Sequence, residues 1–481
     1  MKKIIYTIAI FAITFASCTK DFEEINTNQN APVAVQPSLL LRQVIYDFGE
    51  NMSYEGFVAG DLLAQHRTAL DFNLFDRHDL KSPQLGGNPW GIFYTNLRDN
   101  EIVLKQSRAT SAFAVYEGPA LILKAYMAAG LTDLFGDVPY FEAFNGIEGT
   151  VTPAYDLQED IYQNENGILD NLDKGIAAIN AYTGSIPLEG DILYDGNLQS
   201  WIQFANSLKI KYLIRISGKV DVSSRLQTIF DAGNYIKNNG ENAVFDFTNS
   251  EPNSFRLAQL RVGDFNNFVL SETMEEILIN LNDDRINTFF RPFANSTSAG
   301  FNGLINGINS STTSIALADF SLSGTTFRED TSALDANFMT AWETSFLLAE
   351  AAEKGFINTN SESLYHTGVN QAFDYWNTNL PTNYLAGNAN FNAVGKTPLG
   401  QIITQKWIAS IINGYEGWVE FRRTGFPNLK NISASLNNGL IPVRMPYPPE
   451  AASLNQENYK VADAATNGNS LDVKVWWDSL P

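Results

Sequence analysis

Apolar residues recur at spacings of three and four in ten stretches of this 481-residue chain: 38–64, 91–108, 111–131, 156–181, 198–216, 222–238, 268–281, 338–355, 362–378 and 399–413. That spacing lays one apolar stripe along an α-helix and fits no pleated strand, so the core has to be built from helices packed stripe to stripe. Asp156, Glu159 and Asp160 put acids into a first helical turn, where the helix dipole favours them. Ala125, Ala128 and Ala129, and again Ala349, Ala351 and Ala352, would let neighbouring helices approach closely.

The expected fold class is therefore mainly α. Antiparallel, degenerate tetratricopeptide-like hairpins form a scaffold, although no clean period of about 34 residues is present. Between the helices, 71–90, 241–267, 291–335 and 380–397 are rich in Asn, Gly, Ser, Thr and aromatics. Loops that long usually mean function or disorder, and Phe72, Phe75, Trp90, Phe255, Phe265 and Phe301 argue for ordered, functional surfaces. From 427 onward, Pro442, Pro446, Pro448, Pro449 and Pro481 make an irregular but ordered C-terminal wrap. No composition break marks a second domain, so 38–481 is expected to be one unit.

With 44% hydrophobic and 12% aromatic residues, the chain can bury a large core, which excludes disorder as its main state. Lys and Arg total 32 against 53 Asp and Glu, a net charge of -21 that repels phosphate backbones, so no nucleic-acid partner is expected. The one cysteine, Cys18, leaves no intrachain disulfide or thiolate metal site. It follows Lys2, Lys3, an apolar run over 4–15 too short to span a bilayer, and the small residues Ala16 and Ser17. This arrangement resembles a lipobox. It implies a signal peptide at 1–17, acylation of Cys18 and a tether over 18–37; two or more acyl chains give a stable anchor. Thr19, Lys20, Asp21, Phe22, Glu23 and Glu24 resemble the surface-export signal of Bacteroidetes lipoproteins, which implies the outer leaflet of the outer membrane, facing the medium.

Catalytic signals are few. The histidines are His66, His78 and His366, and there is no HExxH, G-x-S-x-G, GxGxxG or P-loop. Asp76 and His78 flank Arg77 with too few ligands for a metal and read as solvated loop residues. Glu275–Glu276 and Asp283–Asp284 read as solvated helix ends. A carboxylate pair for glycoside hydrolysis is a matter of separation in space, which the sequence does not supply. The expectation is no enzyme, no cofactor and no metal.

A sugar ring has an apolar face and a hydroxyl edge, which suits aromatic stacking flanked by Asn, Asp and Arg. The segment GGNPWGIFY (86–94) offers Trp90 at the mouth of a helix, with Asp71, Asn73, Asp76 and Arg77 in the preceding polar loop as candidate ligand-binding residues. Trp90 and Tyr94, four apart on one helical face, are alternatively both core.

The segment LTDLFGDVPYFEA (131–143) carries Thr132, Asp133, Phe135, Gly136, Asp137, Pro139, Glu142 and Ala143 in the pattern of the SusD/RagB-like nutrient-binding outer-membrane lipoproteins. PAYDLQEDIY (153–162), GDILYDGNLQSWIQFANSLKIKYLIRIS (190–217), YEGWVEFRRTGFP (415–427) and IPVRMPYPPEAASLN with NY (441–459) resemble further family segments in the same order. Glu420 and Trp418 depart from the commonest residues there, so the chain resembles a divergent branch. Physically these motifs are architectural. Gly136 and Pro139 make a turn, Asp133 or Asp137 caps backbone amides, and Arg422 and Arg423 pair with Glu416 and Glu420. Trp201, Phe204 and Leu208 form a core stripe. The resemblance implies a lipoprotein that captures an oligosaccharide and hands it to a SusC-like TonB-dependent transporter barrel. Left open are a mainly structural lid, a peptide-binding subunit and a surface glycoside hydrolase. In the starch-binding member the region matching 71–90 contributes to the ligand site, so the resemblance carries over the location alone.

Overall fold

A computed structural model of the chain describes residues 35–251, 253–297, 300–432 and 434–480; the signal segment, Cys18 and the tether up to 34 lie outside them. Among the described residues the α-helices of six residues or more are α1 Pro37–Glu55, α2 Trp90–Ala109, α3 Glu117–Phe135, α4 Gln158–Gln163, α5 Ile168–Ala181, α6 Leu198–Ile216 and α7 Ser223–Ala232. They continue with α8 Glu272–Leu281, α9 Ala341–Glu353, α10 Ser361–Tyr375, α11 Pro398–Ala409, α12 Glu416–Thr424, α13 Pro449–Leu454 and α14 Gln456–Ala465. Successive helices are neighbours in space along α1, α2, α3, α5, α6, α9 and α10, with α11 and α12 completing the array. The scaffold is thus the mainly α stack of hairpins that the periodicity demands.

Local chemistry sets the helix ends. Asn197 caps α6 by accepting from the Gln199 and Ser200 amides, Thr340 caps α9 through Glu343, and Thr397 with Pro398 at N1 starts α11. Gly136 closes α3 at φ 80, and the Asp137 carboxylate accepts from the Gln158 amide 2.8 Å away at the start of α4. Where α3 crosses α5, a Cβ on Gly118 would sit 2.9 Å from the Gly175 carbonyl, and one on Gly175 would sit 3.1 Å from the Gly118 carbonyl. Only paired glycines permit that approach. Ala125, Ala128, Ala129, Ala349 and Ala351 are all buried at helix contacts as expected, and Ala352 is partly buried. Trp201, Phe204 and Leu208 are fully buried.

The structure corrects several sequence expectations. The run 38–64 is broken after Glu55 by a π-helical turn, Gly56–Gly60, and 268–281 splits into a strand and α8 at the N-cap Ser271. Asp156 precedes α4 and instead accepts from the Tyr140 and Phe141 amides, 2.9 Å each. Asp283 is not a solvated helix end: it lies buried against Arg285 (2.6 Å) and the Tyr384 hydroxyl (2.6 Å). Among the described residues Arg422 forms no ion pair with a glutamate; it donates to the Val443 and Asp133 carbonyls, 2.7 Å each, tying the C-terminal wrap to α3.

β-Structure among the described residues is limited to two antiparallel pairs and isolated bridges. β1 Arg67–Ala69 pairs with β3 Phe268–Leu270, and β2 Ala243–Asp246 pairs with β4 Asp335–Met339. At the end of the second pair Asp246 faces Asp335 directly. Burial, with the Asp246 carboxylate adding to it, pushes the Asp335 carboxyl up to about 7. A raised folded pKa contributes stability that is full below the ordinary carboxylate range and is lost as pH rises through about 7. Asp246→Asn should therefore raise the urea midpoint at pH 8 and leave it nearly unchanged at pH 4. Equal midpoints for the two proteins at pH 8 would refute the coupling.

Candidate ligand-binding site

Strand β1 delivers the chain into the loop 70–89, which folds over a small apolar cluster separate from the main core. Val269, Leu304 and Ile308 form it, with Leu70, Ile315, Phe320 and Leu322 packed against them. Arg67 locks β1 beneath. Its guanidinium is fully buried between the rings of Phe57 (4.3 Å) and Phe327 (4.4 Å), pairs with Asp61, and donates to the Ser323 hydroxyl (3.1 Å). The 291–335 insertion is thereby fastened beside the loop.

Asp76 is the centre of the loop. It is 1% exposed and accepts from the Thr68 hydroxyl (2.8 Å), the Asn306 amide (2.7 Å) and the Gly307 backbone (2.8 Å). Burial raises its carboxyl, and those three donors oppose the rise. Asn73 is buried and donates to the Ile308 carbonyl at 2.7 Å. Arg77, half-buried, donates to the Ala434 carbonyl at 2.9 Å. His78 is buried against the Leu440 carbonyl, and burial pulls it down to about 4. Asp76 and His78 are therefore not the solvated loop residues that the polar sequence suggested. An Asp, an Asn and a backbone amide satisfy one another here. Asp71 stays exposed while its backbone is clamped: its N–H donates to Asn267 Oδ1 and its carbonyl accepts from Asn267 Nδ2, both at 2.7 Å.

What this clamp presents is Phe72. The residue sits at φ 48, a conformation that L residues other than Asn and Asp rarely adopt, and its ring is 62% exposed. Its N–H donates to the Asp71 carboxylate at 2.8 Å, which supports the turn. Residues held in sparsely populated backbone regions cluster at ligand clamps and switch regions. The sequence reading places Phe72 among the aromatics of an ordered, functional surface but not among the candidate ligand-binding residues.

Trp90 lies on the other side of the loop. It opens α2 after Pro89, and its half-buried ring meets Phe135 edge-on at 4.9 Å, Tyr94 at 4.8 Å and Tyr447 at 6.0 Å. Tyr94 donates to the Pro139 carbonyl at 2.7 Å. The structure thus gathers Asp71, Asn73, Asp76 and Arg77 in one loop and puts Trp90 with a different set of rings. A cavity of about 440 Å³ adjoins those rings, lined by Lys81, Asn88, Tyr447 and Tyr459 among others. Trp90→Ala should cost about 1–2 kcal/mol of folding stability, below the roughly 3–5 kcal/mol of a fully buried indole. Urea unfolding checks this; an unchanged midpoint would mean that the ring packs on nothing.

Among the described residues no group of three or more His, Cys, Asp or Glu could hold a metal ion, and no helix is long and apolar enough to cross a membrane. The face around Phe72 offers stacking and hydrogen bonding.

The model of a SusD-like family, described as starch-binding and associating with the outer membrane, matches residues 29–448. No protein of curated function matches the sequence. Among solved structures, a chitin-binding protein is similar at 24% identity and TM-score 0.77, covering 92% of this chain and all of its own. A SusD homologue from Bacteroides fragilis is similar at 22% identity and TM-score 0.79, covering 93% of this chain and all of its own. A chitin-binding SusD homologue from Flavobacterium johnsoniae is similar at 21% identity and TM-score 0.76, covering 92% of this chain and 99% of its own.

Proposed function

The chain belongs to the SusD-like family, and on that premise we propose that it is a cell-surface lipoprotein that binds an oligosaccharide and passes it to a TonB-dependent outer-membrane transporter. The observation that carries the binding function is Phe72, held at φ 48 with its ring exposed over a loop clamped by Asp76. A pyranose ring stacks its C–H face on such an aromatic, while exposed groups such as Asp71 meet its hydroxyls. The family description and the chitin-binding names of similar structures support a glycan as the ligand class. Asn73, Asp76 and Arg77 act in this reading as positioning residues, because their side chains are committed within the protein.

The mature protein starts at Cys18, acylated on its thiol, with 18–37 as tether and 38–481 as the binding domain. Mass spectrometry of membrane-extracted protein should find a lipid on Cys18; a free thiol or an uncleaved 1–17 would contradict the anchor. The binding reading contains no bond-breaking step. Calorimetric titration of residues 19–481 against malto- and chito-oligosaccharides and a control peptide, with product analysis, tests it. Heat with intact glycan supports capture. Heat from the peptide alone favours the peptide-binding subunit, silence a structural lid, and cleaved glycan a hydrolase.

A further inference from the structure

A second cavity, of about 270 Å³, opens between α8, the start of α11 and the turn at 426–428, elements that share no residue with the loop displaying Phe72. Its floor is apolar. Leu281 at the end of α8 is buried, Pro427 is buried and Phe426 is half-buried. Gly400 lets that ring lie against α11, since a Cβ there would sit 3.1 Å from Phe426 Cε1. The volume falls just below the roughly 300–1,000 Å³ of pockets for drug-sized ligands, which suits a single ring.

The polar groups around this floor are unspent. Gln401 is 5% exposed, and its amide nitrogen is committed to the Asn388 carbonyl at 2.8 Å and the Asn390 carbonyl at 2.7 Å. Those two bonds fix the side chain in the cavity wall and leave its carbonyl oxygen with no donor among the described residues. A buried acceptor left without a donor is costly, so the wall is incomplete until something in the cavity donates to it. The half-buried Thr404 hydroxyl, one turn along α11, and the exposed Asn428 amide line the same cavity. Neither side chain has a hydrogen-bond partner among the described residues.

Charge narrows the ligand. Among the described residues Lys396 is the one charged residue lining the cavity; it is exposed and has no ion pair. In a chain with 53 acidic and 32 basic residues, a wall with an unpaired ammonium and no carboxylate stands apart from the rest of the surface. The N-terminal end of α11, capped by Thr397, adds a partial charge of the same sign. A carboxylate on a pyranose ring uses every part of this wall. Its C–H face covers Phe426 and Pro427, its hydroxyls donate to Gln401 Oε1 and bond Thr404 and Asn428, and its carboxylate accepts from Lys396. A peptide C-terminus brings the same charge but only one backbone N–H for those three polar groups.

We propose that this cavity is a binding site for a single acidic sugar, a hexuronate, separate from the Phe72 face and independent of the reading under Proposed function.

Saturation-transfer NMR titrations of residues 19–481 with glucuronate, galacturonate, glucose and N-acetylalanine test it, using wild type, Lys396→Gln, Thr404→Val and Phe72→Ala. The Lys396 side chain is exposed and Thr404→Val keeps its shape, and equal melting temperatures verify that the variants fold. Wild type should bind at least one hexuronate about fivefold or more tightly than glucose, and Lys396→Gln should lose that preference. Thr404→Val should weaken the hexuronate about two- to tenfold, the usual weight of one hydrogen bond. Phe72→Ala should bind it like wild type. No hexuronate binding to wild type, or a preference that survives Lys396→Gln, overturns the site. Binding of N-acetylalanine as tight as the hexuronate's assigns the cavity to peptide C-termini and overturns the sugar. Loss of the hexuronate in Phe72→Ala but not in Lys396→Gln puts the acidic sugar on the Phe72 face and overturns this cavity.

Discussion

Arg215→Met should destabilise the protein by about 3–5 kcal/mol, the characteristic loss when one partner of a buried charge pair is removed and the other is left uncompensated. Arg215 lies on α6 with its side chain 1% exposed. It meets Asp133 at 3.2 Å, Glu416 at 2.9 Å and Glu420 at 2.8 Å. Lys211 and Lys406 bridge Glu343 to Glu416, and Arg423 joins Glu420 to Glu350 at 2.6 Å each. One polar network therefore links α3, α6, α9, α11 and α12 through the interior. Burial by itself would raise Glu416, but Arg215, Lys211 and Lys406 outweigh it and hold its carboxyl at about 2. A depressed pKa contributes stability above the ordinary carboxylate value that is lost as pH falls through about 2. With Arg215 gone, that carboxyl rises toward its unfolded value, so less stability is left to lose in acid and the Arg215→Met deficit should be smaller at pH 4 than at pH 7. Urea unfolding at pH 7 and pH 4 checks both. Glu457→Gln at the exposed pair with Lys460 is the control and should cost less than about 1 kcal/mol. A shift under about 1 kcal/mol for Arg215→Met at pH 7 would show that the network tolerates an open charge.

The helices were legible because burial and periodicity are the same fact read twice. The run 198–216 coincides with α6 to the residue, and 362–378 and 399–413 contain most of α10 and α11. Misreadings fall where a tertiary contact decides. Phe268, Val269 and Leu270 fit a helix or a strand by pattern alone, and pairing with Arg67, Thr68 and Ala69 makes them a strand. Residues 233–238 continue the apolar spacing of α7, but Gly233 at φ 63 ends the helix first. The ion network was only half legible. Arg423 and Glu420 lie three apart and do pair, whereas Arg215 stands 205 residues from Glu420 and nothing in local spacing joins them. The same limit governs the site. Asp76 looked like a hydroxyl-binding acid because its neighbours in sequence are polar; its actual partners, Asn306 and Gly307, arrive from an insertion 230 residues later.

Phe72→Ala should weaken oligosaccharide binding about five- to 150-fold. By analogy with base stacking, truncating a stacking aromatic costs about 1–3 kcal/mol, at about 1.4 kcal/mol per tenfold. Folding stability should stay the same or rise slightly. The ring is 62% exposed and contributes little to the core, and alanine at φ 48 carries a backbone strain no greater than phenylalanine's. Asp76→Asn provides the contrast. It keeps the shape but sets an N–H2 group against either the Asn306 amide or the Gly307 N–H, so it should lower stability as well as affinity. The central claim is capture of an oligosaccharide on Phe72, and calorimetric titration of wild type and Phe72→Ala with the tightest-binding oligosaccharide tests it most directly. The account predicts saturable heat for wild type, at least a fivefold weaker isotherm for the variant at an unchanged melting temperature, and intact glycan recovered from both. Equal affinities for the two proteins would contradict it.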